Sequence, residues 1–328
     1  MRTLRAGAIV AAGFLALAGP AMATPELDPD FPCDVPSCET AVAATRDGQL
    51  RVLDATTGEV YGNLDLRPTH EEGGDLNAPP ITSISLDGDT VYYSVYENEH
   101  SAHGIWRTAI DGSGAPEWVA NGAAPAVSPD GRFLAYSFDP TGPAHGPGTT
   151  SIAVRDLETG QDSHYSPDGG DHDDHAIVDG FIDAIAWSPD STRLAYHLSY
   201  WPDGEPAVYD SLYIFDLVTS DTLFQSSYVG SFLSPSWTAD GGLLAAEACC
   251  SPDRSGRVVR FDLLTGVDTP VETTGGFPLI DEAVKQVDLH DHYGADLLVV
   301  RDATGSLDRV TSQGELRRIG VGYAAVSW

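Results

Sequence analysis

The chain has 328 residues with 49 acidic and 17 basic side chains, which gives a formal net charge of −32 at pH 7. A surface of this charge repels the phosphates of nucleic acids and of anionic membranes, so neither is expected as a partner. It suits cations, basic partners or a salty medium, although an acidic surface that only keeps the protein dissolved is the simpler interpretation. The 34 glycines and 22 prolines favour turns over long helices.

Residues 1–23 have the pattern of a secretory signal peptide. Arg2 and Arg5 provide a basic start, an apolar stretch runs to Ala18, and an Ala-Met-Ala motif fits a cleavage site. The apolar stretch is shorter than the roughly 20 residues that a membrane-spanning helix needs. We therefore expect a soluble exported protein, periplasmic or extracellular and monomeric, that starts near Thr24 and has no membrane span.

From residue 41 to the end, a two-part phrase recurs. Its first half reads AVSPDGRFLAYSF at 126–138, AWSPDSTRLAYHL at 186–198 and SWTADGGLLAAEA at 236–248. Its second half reads VRDLETG at 154–160, IFDLVTS at 214–220 and RFDLLTG at 260–266. Proline presets φ, aspartate accepts bonds from its own backbone and glycine adopts positive φ, so both halves predict a tight turn between strands. Each unit therefore gives four antiparallel strands, A to D.

Weaker copies and the chain ends complete the count of units. The copies lie at 84–114 and 283–320, and residues 41–65 supply strands B, C and D without a strand A. The last five residues, AAVSW, are similar to the strand A sequence AIAWS at 184–188. We therefore predict an all-β fold: one β-propeller domain over 41–328, with six four-stranded blades and the C-terminal strand closing the first blade. Seven blades is the alternative if a long connection hides another one.

The W-S-P-D-G…L-A-Y…D-L-x-T-G phrase resembles the TolB-like, WD-repeat-like propeller repeats of bacterial exported proteins. The resemblance extends from about residue 41 to the end and is clearest in three blades. It implies the propeller fold. It says little about activity, because the same blades occur in binding scaffolds and in the propeller domains of prolyl oligopeptidase-class enzymes.

Propeller topology sorts the connections into two ends of the molecule. The A–B and C–D turns share one end, the turn end, where they are short and repetitive. The B–C and D–A connections share the other, the loop end, where they are long and irregular. Binding sites favour variable loops on a rigid scaffold, so we expect the functional site at the loop end, around the mouth of the central channel.

The four cysteines of an exported chain predict disulfides. Cys33 and Cys38 lie in an N-terminal extension, residues 24–40, at the turn end, whereas Cys249 and Cys250 end strand B of blade 5 towards the loop end. Because a disulfide needs Cα atoms within about 7 Å, we expect a Cys33–Cys38 bridge. The adjacent pair forms either a second, vicinal bridge or two packed thiols.

The densest polar cluster lies on the D–A connection after blade 3. Asp171, His172, Asp173 and His175 could hold a divalent metal, and their carboxylates favour calcium, whereas the two histidines favour zinc. The alternative is an acidic loop that binds no ion. No other cofactor is indicated.

His197, Tyr200 and Trp201 end strand B of blade 4. Exposed aromatic residues there could form a platform for a peptide or glycan, and packing along the blade edge is the alternative.

Motifs of common enzyme classes are missing from the sequence. It contains no G-x-S-x-G nucleophile elbow, H-E-x-x-H zinc motif, phosphate-binding loop or dinucleotide fingerprint. We therefore predict a non-catalytic exported propeller that binds a protein, peptide or glycan on its loop-rich face. The alternatives are a metal-dependent lactonase- or phytase-like hydrolase and a purely structural envelope component.

Overall fold

A computed structural model describes residues 39–64, 81–96, 103–139, 151–165, 179–201, 209–227, 231–248, 257–263, 267–271, 284–290, 296–301 and 304–328. In these ranges 24 strands form six four-stranded antiparallel sheets. None of the described residues belongs to a helix with the length and hydrophobicity to cross a membrane.

Each sheet is one blade. Blade 1 contains β1 (Thr40–Thr45), β2 (Leu50–Asp54) and β3 (Val60–Leu64). Blade 2 contains β4 (Ile81–Asp87), β5 (Thr90–Tyr96), β6 (His103–Ala109) and β7 (Glu117–Asn121). Blade 3 contains β8 (Ala123–Val127), β9 (Phe133–Phe138), β10 (Ser151–Asp156) and β11 (Asp162–Tyr165).

The second half of the ring follows the same order. Blade 4 contains β12 (Asp179–Trp187), β13 (Arg193–Trp201), β14 (Tyr209–Asp216) and β15 (Asp221–Ser227). Blade 5 contains β16 (Ser231–Trp237), β17 (Leu243–Ala248), β18 (Arg257–Asp262) and β19 (Val267–Pro270). Blade 6 contains β20 (Val284–His290), β21 (Asp296–Arg301), β22 (Leu307–Val310) and β23 (Leu316–Gly320), and β24 (Tyr323–Ser327) returns to blade 1.

The C-terminal strand closes the ring as predicted. β24 pairs antiparallel with β1, with Val42 opposite Ser327 and Ala44 opposite Ala325. The sheet order β24-β1-β2-β3 completes blade 1, so six blades, not seven, form the propeller. Closure removes the open sheet edge that an incomplete first blade would leave along β1.

One arginine of blade 6 reinforces this closure from the turn end. Arg309 of β22 bonds Asp296 Oδ2 through Nε and Nη2, at 3.0 and 2.6 Å. Its Nη1 bonds Glu39 and, at 2.8 Å, Thr56 Oγ1, both of which flank strands of blade 1. The guanidinium carbon also lies 5.0 Å from the ring centroid of Trp328. A single side chain therefore joins the two ends of the described chain.

The core lies between neighbouring blades, because successive residues of a strand face opposite sides of its sheet. In β21, Leu297 and Val299 pack in a cluster shared with blade 5. Leu298 and Val300 pack in a cluster shared with blade 1. Both faces are buried, which explains why this strand reads as a continuous apolar run. Each fully buried side chain of this size contributes on the order of 1.5–3 kcal/mol.

The innermost strands β24, β4, β8, β12, β16 and β20 contact one another in a ring around the channel. A side-chain hydrogen bond crosses each of the six seams. Going round from blades 1 and 2, the bonds are Leu86 N to Ser327 Oγ, Val127 N to Ser85 Oγ, Trp187 Nε1 to Ala126 O, Trp237 Nε1 to Ala186 O, Val287 N to Ser234 Oγ and Trp328 N to Asp288 Oδ2. The tryptophans of the repeated phrase are thus inter-blade links.

Candidate functional site

The A–B turns use their polar side chains internally. In blade 3, Ser128 Oγ donates to Asp130 Oδ1 at 2.6 Å and accepts from Phe133 N at 2.8 Å. In blade 4, Ser188 and Asp190 repeat the hydroxyl–carboxylate bond at 2.6 Å. These serine hydroxyls lower the pKa of both aspartates. The carboxylates are therefore occupied in holding the turns.

The C–D turns also use their aspartates for hydrogen bonds within the turn. Asp156 Oδ1 accepts hydrogen bonds from Glu158 N at 3.0 Å and Thr159 N at 2.8 Å. The Thr159 amide is the main cause of a lowered pKa of Asp156. An ion pair of 3.3 Å joins Asp156 to Arg132 of the A–B turn. This contact shows that both kinds of turn lie at one end, in agreement with the predicted map.

The innermost strand of every blade is interrupted by a β-bulge. The pairing with the second strand shifts near the start of β4, β8, β20 and β24 and at the middle of β12 and β16. The extra residues are Thr82, Ala124 with Pro125, Asp183, Ser234 with Pro235, Lys285 and Ala324. We call these residues the bulge ring. Bulges redirect side chains and are common beside functional sites.

Asp183 and His197 form the one charged side-chain couple among the described side chains of the bulge ring. His197 Nδ1 lies 2.6 Å from Asp183 Oδ1. The histidine side chain is fully buried, whereas the aspartate side chain is 42% exposed. With Asp183 ionised, Nδ1 carries the proton and donates it to the carboxylate. Because β12 is an innermost strand, the exposed part of this carboxylate faces the channel.

The second oxygen of Asp183 has no partner among the described residues. Within the described ranges, the carboxylate makes no hydrogen bond or ion pair other than the one between Oδ1 and His197. A buried donor orients the carboxylate while its other oxygen stays accessible, an arrangement that can bind a donor group or a cation.

Blade 2 contains a neutral counterpart of this couple. Thr82 Oγ1 lies 2.7 Å from Ser94 Oγ, and Ser94 occupies the same register position in β5 that His197 occupies in β13. Thr82 is exposed and Ser94 is buried, as Asp183 and His197 are. A bulge residue can therefore be connected to the second strand without a charged group, whereas blade 4 makes this connection with a carboxylate.

The residues proposed from the sequence as a ligand platform have different positions. His197 is fully buried and so does not present a surface to a ligand. The exposed group that it bonds is the carboxylate of Asp183. Tyr200 and Trp201 end β13, opposite Gly180 and Asp179 of β12, at the loop end. Their side chains lie outside the described part. Asp183 itself was missed, and the one signal for it was a charged residue inside the apolar run FIDAIAW.

The proposed metal ligands and cysteines cannot be placed in the same way. Asp171, His172, Asp173 and His175 lie outside the described residues, as do Cys33, Cys38, Cys249 and Cys250. Within the described ranges, no three histidine, cysteine or acidic side chains are grouped so that they could hold a metal ion.

No protein-family model and no curated protein sequence matches the chain. Among solved structures, the fold is similar to TolB from Acinetobacter baumannii, with a TM-score of 0.53 and 18% identity over 88% of this chain and 65% of that one. It is also similar to a protein of unknown function from Bacteroides caccae, with a TM-score of 0.53 and 11% identity over 89% of this chain and 98% of that one. Hydrazine synthase from Kuenenia stuttgartiensis is similar as well, with a TM-score of 0.51 and 13% identity over 84% of this chain and 77% of that one.

These similarities confirm the TolB-like propeller at the level of the fold. The chain spans slightly less than two thirds of the TolB chain. Identities this low show a shared architecture and carry no assignment of activity, ligand or partner.

Proposed function

We propose that this chain is an exported, non-catalytic propeller that binds a protein, peptide or glycan ligand at its loop end, around the mouth of the channel. The supporting observation is the contrast between the two ends. At the turn end, carboxylates such as Asp130 and Asp156 are engaged in turn hydrogen bonds. In the bulge ring, Asp183 presents an exposed carboxylate, one oxygen of which bonds no described residue.

The scaffold beneath the loop end supports a binding role. Six seam bonds hold the innermost strands together, and the same strands carry the bulge ring. Groups held in place before binding lose little conformational entropy when a ligand arrives. The bulge ring is therefore a pre-organised floor for a ligand that enters from the loop end.

A metal-dependent hydrolase of the lactonase or phytase type is the alternative function. What favours it is the position of Asp171, His172, Asp173 and His175, a few residues before β12, the strand that carries Asp183. Calcium is the ion that their carboxylates suit best. Elemental analysis of dialysed protein separates the two functions: about one retained calcium per chain supports the hydrolase, and none counts against it.

The binding function is tested by blocking one end at a time. Peptide and glycan arrays are probed with the wild-type protein, and the ligands found are then titrated against two tryptophan variants. Thr82→Trp places a bulky side chain on an exposed position of the bulge ring. Val218→Trp places the same side chain at the turn end, where Val218 is 78% exposed.

We expect Thr82→Trp to weaken binding by about tenfold or more through steric exclusion, and Val218→Trp to leave it unchanged. Melting curves confirm that both variants are folded. Binding that is lost only in Val218→Trp would place the ligand at the turn end and contradict the proposal. A folded protein that binds nothing on either array would contradict it as well and leave a purely structural role.

A further inference from the structure

We infer that Asp183 is the anchor for a cationic group of the ligand, an ammonium or guanidinium, and that His197 positions it. This inference rests on the proposed binding function and specifies its chemistry. The ligand class that follows is a peptide or protein segment with a lysine or arginine side chain that reaches into the channel. A neutral glycan would use the same oxygen only as a hydrogen-bond acceptor.

The geometry provides an exposed carboxylate oxygen as an acceptor. His197 donates through Nδ1 to Oδ1 and so orients the carboxylate. Oδ2 accepts no hydrogen bond from a described residue, and the side chain is 42% exposed on an innermost strand. An ionised carboxylate oxygen bonds an N–H of a cation more strongly than it bonds a neutral donor, by about a factor of two in energy.

Among the described side chains, His197 is the one that forms an ion pair or hydrogen bond with Asp183. The net charge of −32 gives the protein a field that attracts cations. A cationic group of a ligand would therefore find at Asp183 a carboxylate whose second oxygen no described residue bonds.

Structural need alone does not account for the charge. The Thr82–Ser94 couple makes the same connection in blade 2 with two hydroxyls. In blade 3, the hydroxyl oxygen of buried Ser137 instead lies within hydrogen-bond distance of two backbone carbonyls, those of Ala123 at 3.2 Å and Ile182 at 2.9 Å, and its single proton is donated to the backbone. The three neighbouring blades thus make this connection in different ways, and of these three connections only the one in blade 4 contains a carboxylate.

The test measures discrimination between two end-capped peptides by calorimetric titration. One alternates glycine with arginine, and the other replaces each arginine by citrulline, which has nearly the same shape without the charge. Asp183→Asn keeps an acceptor for His197 and removes the charge. Asp87→Asn, at the turn end of innermost strand β4, is the matched control for general loss of negative charge.

We expect the wild-type protein to prefer the arginine peptide, and Asp183→Asn to weaken its binding about 10- to 100-fold, the value of one charge-assisted hydrogen bond. Citrulline-peptide binding and the Asp87→Asn variant should change little. Equal affinity of wild type and Asp183→Asn for the arginine peptide would overturn the inference, as would a wild type that does not distinguish the peptides.

The positioning role of His197 is tested by a measurement that a purely structural role would not change. His197→Asn retains a donor towards Asp183, and His197→Val removes it. We expect the ratio of arginine- to citrulline-peptide affinity to persist in His197→Asn and to fall in His197→Val, whatever both do to the melting temperature. Equal ratios in the two variants would overturn the positioning role.

The two proposals fail in different ways. Glycan binding blocked by Thr82→Trp, without arginine discrimination, overturns the cation anchor and leaves the loop-end function intact. A protein that binds no array member and neither peptide overturns both.

Discussion

The two ends of this propeller handle their carboxylates in opposite ways. At the turn end, Asp130, Asp156 and their counterparts accept hydrogen bonds from the turn they belong to. In blade 4 of the bulge ring, Asp183 uses one oxygen for a buried histidine and leaves the other open to the channel. The most recognisable residues of the repeat are thus structural, whereas Asp183, outside the repeated phrase, keeps an oxygen that no described residue bonds.

Blade 6 departs from this contrast, because a buried ion pair with a structural role lies at its loop end. Arg301 ends β21 and bonds Asp308 of β22 at 2.6 Å, with side chains only 3% and 1% exposed. Arg318 pairs with the same aspartate at 3.2 Å. Loop-end charge in the described part of the chain is therefore of two kinds, a buried ion pair in blade 6 and an exposed carboxylate in blade 4.

The largest expected effect comes from breaking this buried pair. Asp308→Ala leaves Arg301 buried without its counter-ion, so we expect a loss of about 3–5 kcal/mol in the free energy of unfolding. Urea unfolding measures it. Asp240→Ala breaks the Arg260–Asp240 pair, whose side chains are 47% and 66% exposed, and should cost no more than about 1 kcal/mol. Similar losses in the two variants would mean that burial does not decide the role of these charges.

The next effect concerns the scaffold that both ends share. Trp187→Phe keeps an aromatic ring but removes the indole donor to Ala126 O, a seam bond of 2.9 Å. Leaving a buried carbonyl without its partner should cost about 1–2 kcal/mol. Trp118→Phe is the control, because Trp118 is 54% exposed, and we expect it to change stability by less than about 0.5 kcal/mol. An equal loss of stability in both variants would show that the seam bond does not stabilise the propeller.

The smallest effect is an acid sensitivity of the turn end. Hydrogen bonds from Thr238 and Arg260 lower the pKa of Asp240 from 3.8 to about 2. A lowered pKa in the folded state stabilises the protein above pH 3.8, and this contribution is lost as the pH falls towards 2. In Asp240→Asn, stability should therefore depend less on pH across that window than in the wild type. Parallel urea-stability curves for the two proteins would show that the turn carboxylate is not linked to folding.

Much of the architecture could be predicted because its determinants are local. The Ser-Pro-Asp-Gly turn needs a residue with positive φ, and Gly131 provides it with a φ of 68°. In blade 4, Ser191 takes the same conformation with a φ of 56°, and the surrounding residues still identify the turn. The closing strand was predictable because its last residues repeat the sequence of another innermost strand.

The site could be predicted only in part, because it depends on register and on distant partners. His197 was identified from the residues around it, but its burial and its bond to Asp183 follow from a bulge that no sequence pattern marks. The Arg309 links to Glu39 and Thr56 join residues more than 250 positions apart, and only the closed ring brings them together. Local patterns predict strands and turns, whereas these contacts depend on how the strands are paired.

Hydrogen–deuterium exchange with the arginine peptide bound tests the central claim most directly. We expect added protection to be confined to the innermost strands around Thr82 and Asp183, and to disappear in Asp183→Asn. Protection centred on the turns at 128–132 and 156–160 would contradict the proposed binding site, because the ligand would then occupy the turn end.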